Sequence, residues 1–214
     1  MTIKSTNPKV FGIGMWKTGT TSLEHALQQL GYKHSDNVKE FGKFPTQFLS
    51  RNVRAGFVNK GIPATHNYDY DNFSKEEESL IKNVMNKYSC FTDHPWMWCY
   101  KKAYEIYPDA KFILTLRKDD EALARSSLGY ATRGGHPPST CPTKKENFIT
   151  RYRKHNEAVR EFFNHNNANY LEVCFENGDG WKEICEFLDK PLPSPSVFPH
   201  SNRGTYKDWA GGGA

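Results

Sequence analysis

The sequence predicts an α/β fold, a three-layer sandwich around a mostly parallel central sheet. Short apolar runs typical of buried strands begin at Val10, Tyr88, Lys111 and Tyr170. Amphipathic helical patterns separate these runs, as expected where parallel strands alternate with crossover helices. With 214 residues, of which 14% are aromatic, the chain can bury the core of one domain spanning residues 1–214.

Composition and charge narrow the class of partner. The net charge of +5 suits a small polyanionic ligand, whereas a nucleic-acid binder would show a concentrated Lys/Arg stripe. The sequence has no apolar run of membrane-spanning length and no signal-peptide pattern, so we expect no membrane partner. Its five cysteines form no CxxC pair, which indicates reduced thiols and a cytoplasmic protein. Cys90, His94 and Cys99 match no zinc spacing, so we predict no metal.

The first glycine-rich stretch is the candidate ligand site. The strand that starts at Val10 breaks at Gly14, and a helix with Leu23 and Leu27 on its apolar face follows. A strand, a tight turn and a helix N-terminus together direct backbone N–H groups and the positive helix dipole at one anion. The residues predicted to bind are Trp16, Lys17, Thr18, Gly19, Thr20, Thr21 and Ser22.

Local residue patterns predict the secondary structure of the middle of the chain. Residues 40–59 read as one or two amphipathic helices, and residues 61–72 as a loop. Ser74 begins a helix through a capping box with Glu77, since the two are three residues apart. After the strand of residues 88–92, Pro95 marks the start of another helix, with an aromatic stripe that includes Trp96 and Tyr100.

The second half contains the clearest strand, residues 111–116, which delivers Arg117 at the sheet edge where α/β proteins bind ligands. A helix follows, and residues 129–143 are predicted to be an irregular loop that acts as a lid. A long helix over residues 144–166 and a strand over 170–175 come next. Asp179 is predicted to cap the last helix, and residues 205–214 to form a flexible tail.

The loop sequence WKTGTTS at residues 16–22 resembles the 5′-phosphosulfate loop of sulfotransferases. Its lysine precedes the second glycine, whereas the nucleotide-triphosphate P-loop has Gly-Lys-Ser/Thr. Trp16 stands where that family usually has proline. Residues 91–95, 107–117 and 178–188 are also similar to sulfotransferase segments, as in small bacterial-type members of this P-loop superfamily. The resemblance covers residues 9–36, 88–127 and 170–203, about half of the chain.

The resemblance implies a donor and a site for each of its phosphates. The implied donor is 3′-phosphoadenosine 5′-phosphosulfate (PAPS), with adenosine 3′,5′-bisphosphate (PAP) as product and no metal. Arg117 and a serine about eight residues later would bind the 3′-phosphate. We favour Ser126 for the second role, although Arg125 stands at that spacing. Arg203 in the tail is predicted to add to the same site.

The resemblance also requires a base for the acceptor, a hydroxyl or amine of a small molecule. His94 is the first candidate because histidine titrates near neutral pH, and Asp93 is the alternative. Should neither serve, His34 and His66 are the next candidates. Trp16, Trp96, Trp98 and Tyr100 favour an aromatic or apolar acceptor. Two other functions stay open: a P-loop small-molecule kinase, and a non-catalytic nucleotide-binding module of the same fold.

Overall fold

The computed structural model describes residues 8–41, 73–133, 142–194 and 197–201. Within these ranges one four-stranded sheet has the order β2-β1-β3-β4, and every pairing is parallel. The predicted α/β class is therefore confirmed. The strands are β1 (Val10–Gly12), β2 (Cys90–Phe91), β3 (Lys111–Thr115) and β4 (Tyr170–Val173).

Helices cover both faces of this sheet. They are α1 (Thr20–Gln29), α2 (Asn37–Phe41), α3 (Lys75–Lys87), α4 (Tyr100–Ile106), α5 (Asp120–Arg133), α6 (Pro142–His165) and α7 (Trp181–Leu188). Two 3₁₀ turns follow strand ends, at Trp96–Trp98 and Phe175–Asn177. Among the described helices, none combines the length and apolarity needed to span a bilayer.

A phenylalanine ladder lies across one face of the sheet. The ring of Phe11 stacks on Phe91 at 4.6 Å and on Phe112 at 5.4 Å between centroids, because the three residues are partners in adjacent strands. Phe163 of α6 then packs on Phe112 at 4.8 Å. Val10 and Ile113, which alternate with these residues, face the opposite side and pack with residues of α1 and α7. The two cores give the three layers.

The strand order shows at which edge of the sheet a ligand-binding crevice is expected. The chain leaves β1 toward β2 on one side and later passes from β3 to β4 on the other. The carboxyl ends of β1 and β3 are therefore a switch point, where open parallel sheets have a crevice. The loop at residues 13–19 and Arg117 both lie there.

The capping box at Ser74 is confirmed, but the cap predicted for Asp179 is wrong. Ser74 Oγ accepts from the Glu77 amide at 3.2 Å, and Glu77 Oε2 accepts from the Ser74 amide at 2.7 Å. Asp179 instead turns back and accepts from the Cys174 amide at 2.6 Å. Gly180 is the N-cap of α7.

The irregular loop predicted over residues 129–143 is too long at both ends, and its role as a lid stays a prediction. Helix α5 continues to Arg133 and α6 begins at Pro142, because Gly129 is tolerated inside a helix and proline is favoured in a first turn. Residues 134–141 lie outside the described residues. So do most of the segment predicted as helices at 40–59, the loop at 61–72, His66, Arg203 and the tail at 205–214.

His155 of α6 links the core to the ligand edge. Its Nε2 lies 2.7 Å from the carbonyl oxygen of Ile13, so this nitrogen carries the proton and donates to the residue that follows β1. Burial lowers the pKa of His155 to about 4. The ring is 2% exposed, so the folded protein holds it neutral.

We expect His155 to make the protein sensitive to acid. Its pKa is lower in the folded than in the unfolded protein, so its stability contribution is complete above pH 6.5 and is lost as the pH falls toward 4. The shift corresponds to about 3 kcal/mol. His155→Gln, which keeps a donor, should reduce the slope of unfolding free energy against pH by about one proton in this window.

Urea unfolding at several pH values measures this slope. His165→Gln on the same helix is the matched control because the His165 side chain is exposed. Equal slopes for wild type and His155→Gln would contradict the assignment.

Candidate active site

The loop after β1 packs directly on the end of β3. A Cβ on Gly14 would lie 2.0 Å from Thr115 Oγ1 and 2.6 Å from the Thr115 carbonyl oxygen, so only glycine allows this approach. Thr18 Oγ1 donates to the Met15 carbonyl at 2.5 Å. It therefore accepts from the Thr115 hydroxyl, 2.6 Å away. These buried bonds fix the loop over β3.

Lys17 has an unusual backbone that a second residue holds in place. Its φ of 72° is in the left-handed region, which is uncommon for a non-glycine residue. Arg117 Nε donates to the Lys17 carbonyl, and Tyr152 Oη accepts from the Arg117 amide at 3.0 Å. The guanidinium at the end of β3 thus fixes the peptide that carries the predicted lysine.

Helix α1 begins immediately after the loop. Its N-cap is Gly19, with φ 99°, and the ring of Phe175 packs where a Cβ of Gly19 would be, at 2.7 Å. Glycine brings no side chain to cap the first amides, so these N–H groups and the helix dipole can bind an anion. Thr21 lies in this first turn.

The hydroxyls predicted to face a ligand have different partners. Thr18 points into the protein, as described above. Thr20 donates to the carboxylate of Asp93. Ser22 Oγ accepts from the backbone amide of Ser201 at 3.1 Å, and Ser201 Oγ lies 2.7 Å from His25 Nδ1. The chain segment that precedes Arg203 therefore lies against the start of α1.

Asp93 follows β2 and faces this loop. Its φ is 63°, also left-handed, and its Oδ1 accepts from the His94 amide at 2.9 Å. Burial raises the pKa of Asp93, while the hydrogen bonds from His94 and Thr20 and the charge of Lys17 oppose the rise. The carboxyl group is therefore more basic than an ordinary aspartate and lies within electrostatic range of Lys17.

The His94 side chain has different surroundings from those of Asp93. Both of its ring nitrogens are inaccessible to solvent, and its ring packs edge-on against Trp98 at 4.7 Å. Burial lowers the pKa of His94 to about 3. The two candidate bases thus differ in their contacts: the Asp93 carboxylate accepts from Thr20 of α1, whereas the His94 ring nitrogens are enclosed and its ring packs on Trp98.

A polar network supports Thr92, the residue before Asp93. Asn37 Nδ2 donates to the Thr92 carbonyl at 2.9 Å, and the Thr92 hydroxyl lies 2.9 Å from His34 Nε2. His34 Nδ1 lies 3.3 Å from Glu24 Oε1. Burial raises the pKa of Glu24, and the charge of Asp93 raises it further. His34 thus links α1 to the end of β2.

The residues predicted to bind a 3′-phosphate differ in exposure and in their partners. Arg117 lies at the switch point, and its Nη1 forms an ion pair with Glu176 Oε1 at 2.8 Å. On α5 the Ser126 side chain is buried and that of Arg125 is exposed. This burial favours Ser126 over Arg125 for an inward role.

The aromatic residues predicted near the acceptor are mostly core residues. Trp96 and Tyr100 are fully buried, and Trp96 Nε1 donates to Asn37 Oδ1 at 2.8 Å. Trp16 is half-buried, with its ring 5.9 Å from that of Trp98 and 5.7 Å from that of Phe148. Packing of Trp16 on these two rings fixes the start of the loop, where proline is usual in the resembled family.

Sequence reasoning missed Glu176, Tyr152, Thr115 and the Glu24 contact of His34. Glu176 follows β4, and the carboxyl ends of parallel strands share one edge, so its strand position was an available signal. The same signal applies to Thr115, which ends β3, whereas Tyr152 and the His34–Glu24 contact have no such signal because their contacts join residues 35 and 10 positions apart in sequence.

A family model described as "Sulfotransferase domain" matches residues 9–136 and 131–206 of this chain. The matched residues include all four strands and the segment that follows each of them. "Ava biosynthesis cluster protein M" of Aspergillus versicolor is 25% identical over an alignment of 248 residues, which covers 94% of this chain and 87% of that protein.

We expect Asp93→Asn to stabilise the fold at neutral pH. Because the pKa of Asp93 is raised by burial in the folded protein, its contribution to stability is lost as the pH rises from the ordinary aspartate pKa of about 3.9 through the folded value. Asparagine has no such titration and can still accept from the His94 amide.

The measurement is urea unfolding at pH 4 and pH 8. The stabilisation by Asp93→Asn should be larger at pH 8. Asp36→Asn is the control, since Asp36 is exposed and its acceptor role toward the Lys39 amide at 3.0 Å survives the change. A variant that is less stable than wild type at pH 8 would contradict the inferred penalty.

Proposed function

The chain belongs to the sulfotransferase domain family, and from this premise we propose that it transfers a sulfuryl group from PAPS to a small-molecule acceptor. The observation that carries the proposal is a convergence at one sheet edge. The Lys17 loop after β1, Asp93 after β2 and Arg117 after β3 supply an anion cradle, a base and a second cation.

The residues at this edge fit the donor. The N-terminal amides of α1 and the ammonium of Lys17 would hold the 5′-phosphosulfate, as a glycine-capped helix start does for phosphates. Arg117 would bind the 3′-phosphate, with Ser126 as a second partner. PAPS supplies an activated sulfuryl group on a phosphate leaving group.

Lys17 and Asp93 have complementary tasks in the transfer. Asp93 takes the proton of the acceptor hydroxyl or amine as that atom forms its bond to sulfur. The bond from sulfur to the bridging phosphate oxygen breaks, and Lys17 with the loop amides stabilises the negative charge that develops on this oxygen. PAP leaves with the electron pair, and Asp93 later returns the proton to solvent.

We infer that Asp93 and not His94 is the base. Asp93 lies beside Lys17 and Thr20, and its raised pKa makes it a stronger base than a surface aspartate. The imidazole of His94 is sequestered against Trp98, and a pKa near 3 makes it a weak base. His94 then acts through its backbone amide, which orients the Asp93 carboxylate.

The proposed class of acceptor is based on the relative from Aspergillus versicolor. The name of the Aspergillus versicolor protein assigns it to a biosynthesis cluster, which supports a small organic molecule as acceptor here. Trp16 of the loop is half-buried, so part of its side chain is accessible to such a molecule.

Binding and turnover test the proposed function together. By titration calorimetry the chain should bind PAP and not ATP-Mg²⁺, which a P-loop kinase would prefer. With PAPS and an acceptor panel, Lys17→Ala should lower turnover by roughly 10²- to 10³-fold, since its charge acts mainly in the transition state. Binding of ATP-Mg²⁺ without PAP, or full turnover by Lys17→Ala, would end the proposal.

The identity of the base is tested by two neighbouring substitutions. Asp93→Asn should lower kcat by about 10²- to 10⁴-fold without weakening PAP binding, because the base contacts only the acceptor. His94→Asn should retain most of its turnover per folded molecule. The rising limb of the wild-type pH–rate profile should lie above the ordinary carboxyl range.

The opposite pattern, an inactive His94→Asn beside an active Asp93→Asn, would assign the base to His94. Thermal unfolding of each variant separates lost chemistry from lost folding, since His94 packs in the interior.

A further inference from the structure

Glu176 makes two contacts that the transfer chemistry does not explain. It lies in the 3₁₀ turn Phe175–Asn177 that follows β4. Its Oε1 accepts from Arg117 Nη1 at 2.8 Å, and its Oε2 accepts from the backbone amide of Lys118 at 3.2 Å. One carboxylate thus bridges a guanidinium and a main-chain amide, both from the segment that follows β3.

This donor pair is the kind that binds phosphate. A guanidinium binds carboxylate and phosphate oxygens with the same planar fork, and a backbone N–H donates to either anion. The two oxygens of Glu176 lie where two oxygens of a phosphate would bind if Arg117 were a phosphate ligand. The carboxylate and the phosphate cannot both occupy this position.

When a phosphate binds here, we expect the Glu176 carboxylate to move and Arg117 to stay in place. Arg117 Nε donates to the Lys17 carbonyl, and the Arg117 amide donates to Tyr152 Oη at 3.0 Å. The first contact holds the guanidinium against the loop, and the second fixes the Arg117 backbone. The Glu176 side chain is 31% exposed and belongs to a short turn, so it can rotate toward solvent.

We propose that Glu176 competes with the donor's 3′-phosphate for Arg117 and the Lys118 amide, and so weakens binding of both PAPS and PAP. This inference rests on the proposed function, because it takes Arg117 as the 3′-phosphate ligand. Since donor and product share this phosphate, Glu176 lowers the affinity for each and speeds release of PAP.

The test is Glu176→Gln, which keeps length and shape and removes the charge. Titration calorimetry measures Kd for PAP and for 5′-AMP, which lacks the 3′-phosphate. PAP should bind roughly three- to tenfold more tightly, because a competing, partly exposed ion pair and a like charge are removed. Binding of 5′-AMP should change by less than about twofold, so the PAP to 5′-AMP selectivity rises.

Glu172→Gln is the matched control. Glu172 lies on β4 and pairs with Arg160 Nε at 2.7 Å, and its side chain is 30% exposed, close to the 31% of Glu176. It loses the same charge but contacts no donor of the proposed subsite. PAP affinity should therefore stay at the wild-type value.

The same substitution made in an Arg117→Gln variant shows whether Glu176 acts through Arg117. Arg117→Gln should bind PAP more weakly, and adding Glu176→Gln to it should restore less than the gain seen in the wild-type background. Glu176→Asp keeps the charge but is too short to reach both donors, so it should raise PAP selectivity in the same direction. It also provides a variant if Glu176→Gln does not fold.

The outcomes separate this inference from the proposed function. A wild-type chain that does not bind PAP rejects the proposed function and the competition together. If wild type binds PAP and Glu176→Gln binds it more weakly, Glu176 positions Arg117 and the competition is rejected. Equal changes for PAP and 5′-AMP also reject it, since the 3′-phosphate would then be irrelevant.

Discussion

Close packing of the loop after β1 on the end of β3 is the constraint on which the rest of the site depends. Only glycine at position 14 leaves room for Thr115, and the buried hydroxyl pair of Thr18 and Thr115 then joins the two segments. Breaking this pair would leave buried polar groups unsatisfied, at a cost of about 1–3 kcal/mol each. The place of Lys17 and the direction of the α1 amides both follow from this contact.

Electrostatics at the same edge work against the stability of the fold. Burial raises the pKa of Asp93 and lowers that of His34 to about 4, so the fold bears the cost of keeping titratable groups beside the loop. Lys17 and Asp93 also hold left-handed backbone angles, which cost of order 1–3 kcal/mol each. Strain and desolvation of this kind concentrate where a protein binds or reacts.

The sheet could be predicted from sequence because each strand is a short apolar run with its own signal, and β1 and β3 lie within one residue of their predicted starts. The sequence does not show which side chain after β2 faces the site. Asp93 and His94 are adjacent, and only the left-handed turn at Asp93 decides which of them faces Lys17. The length of α5 was missed for a related reason, since Gly129 is a weak local signal that helix packing overrides.

Two of the described cations at this edge each interact with a carboxylate from another strand end. The charge of Lys17, after β1, acts on Asp93, after β2, and Arg117, after β3, pairs with Glu176, after β4. The two pairs differ in kind: the Asp93 carboxylate is held by hydrogen bonds from His94 and Thr20, whereas the Glu176 side chain is partly exposed. A ligand with two phosphates would therefore meet a hydrogen-bonded carboxylate near one phosphate and a partly exposed carboxylate near the other. The parallel sheet achieves this because all four strands deliver their next residues to the same edge.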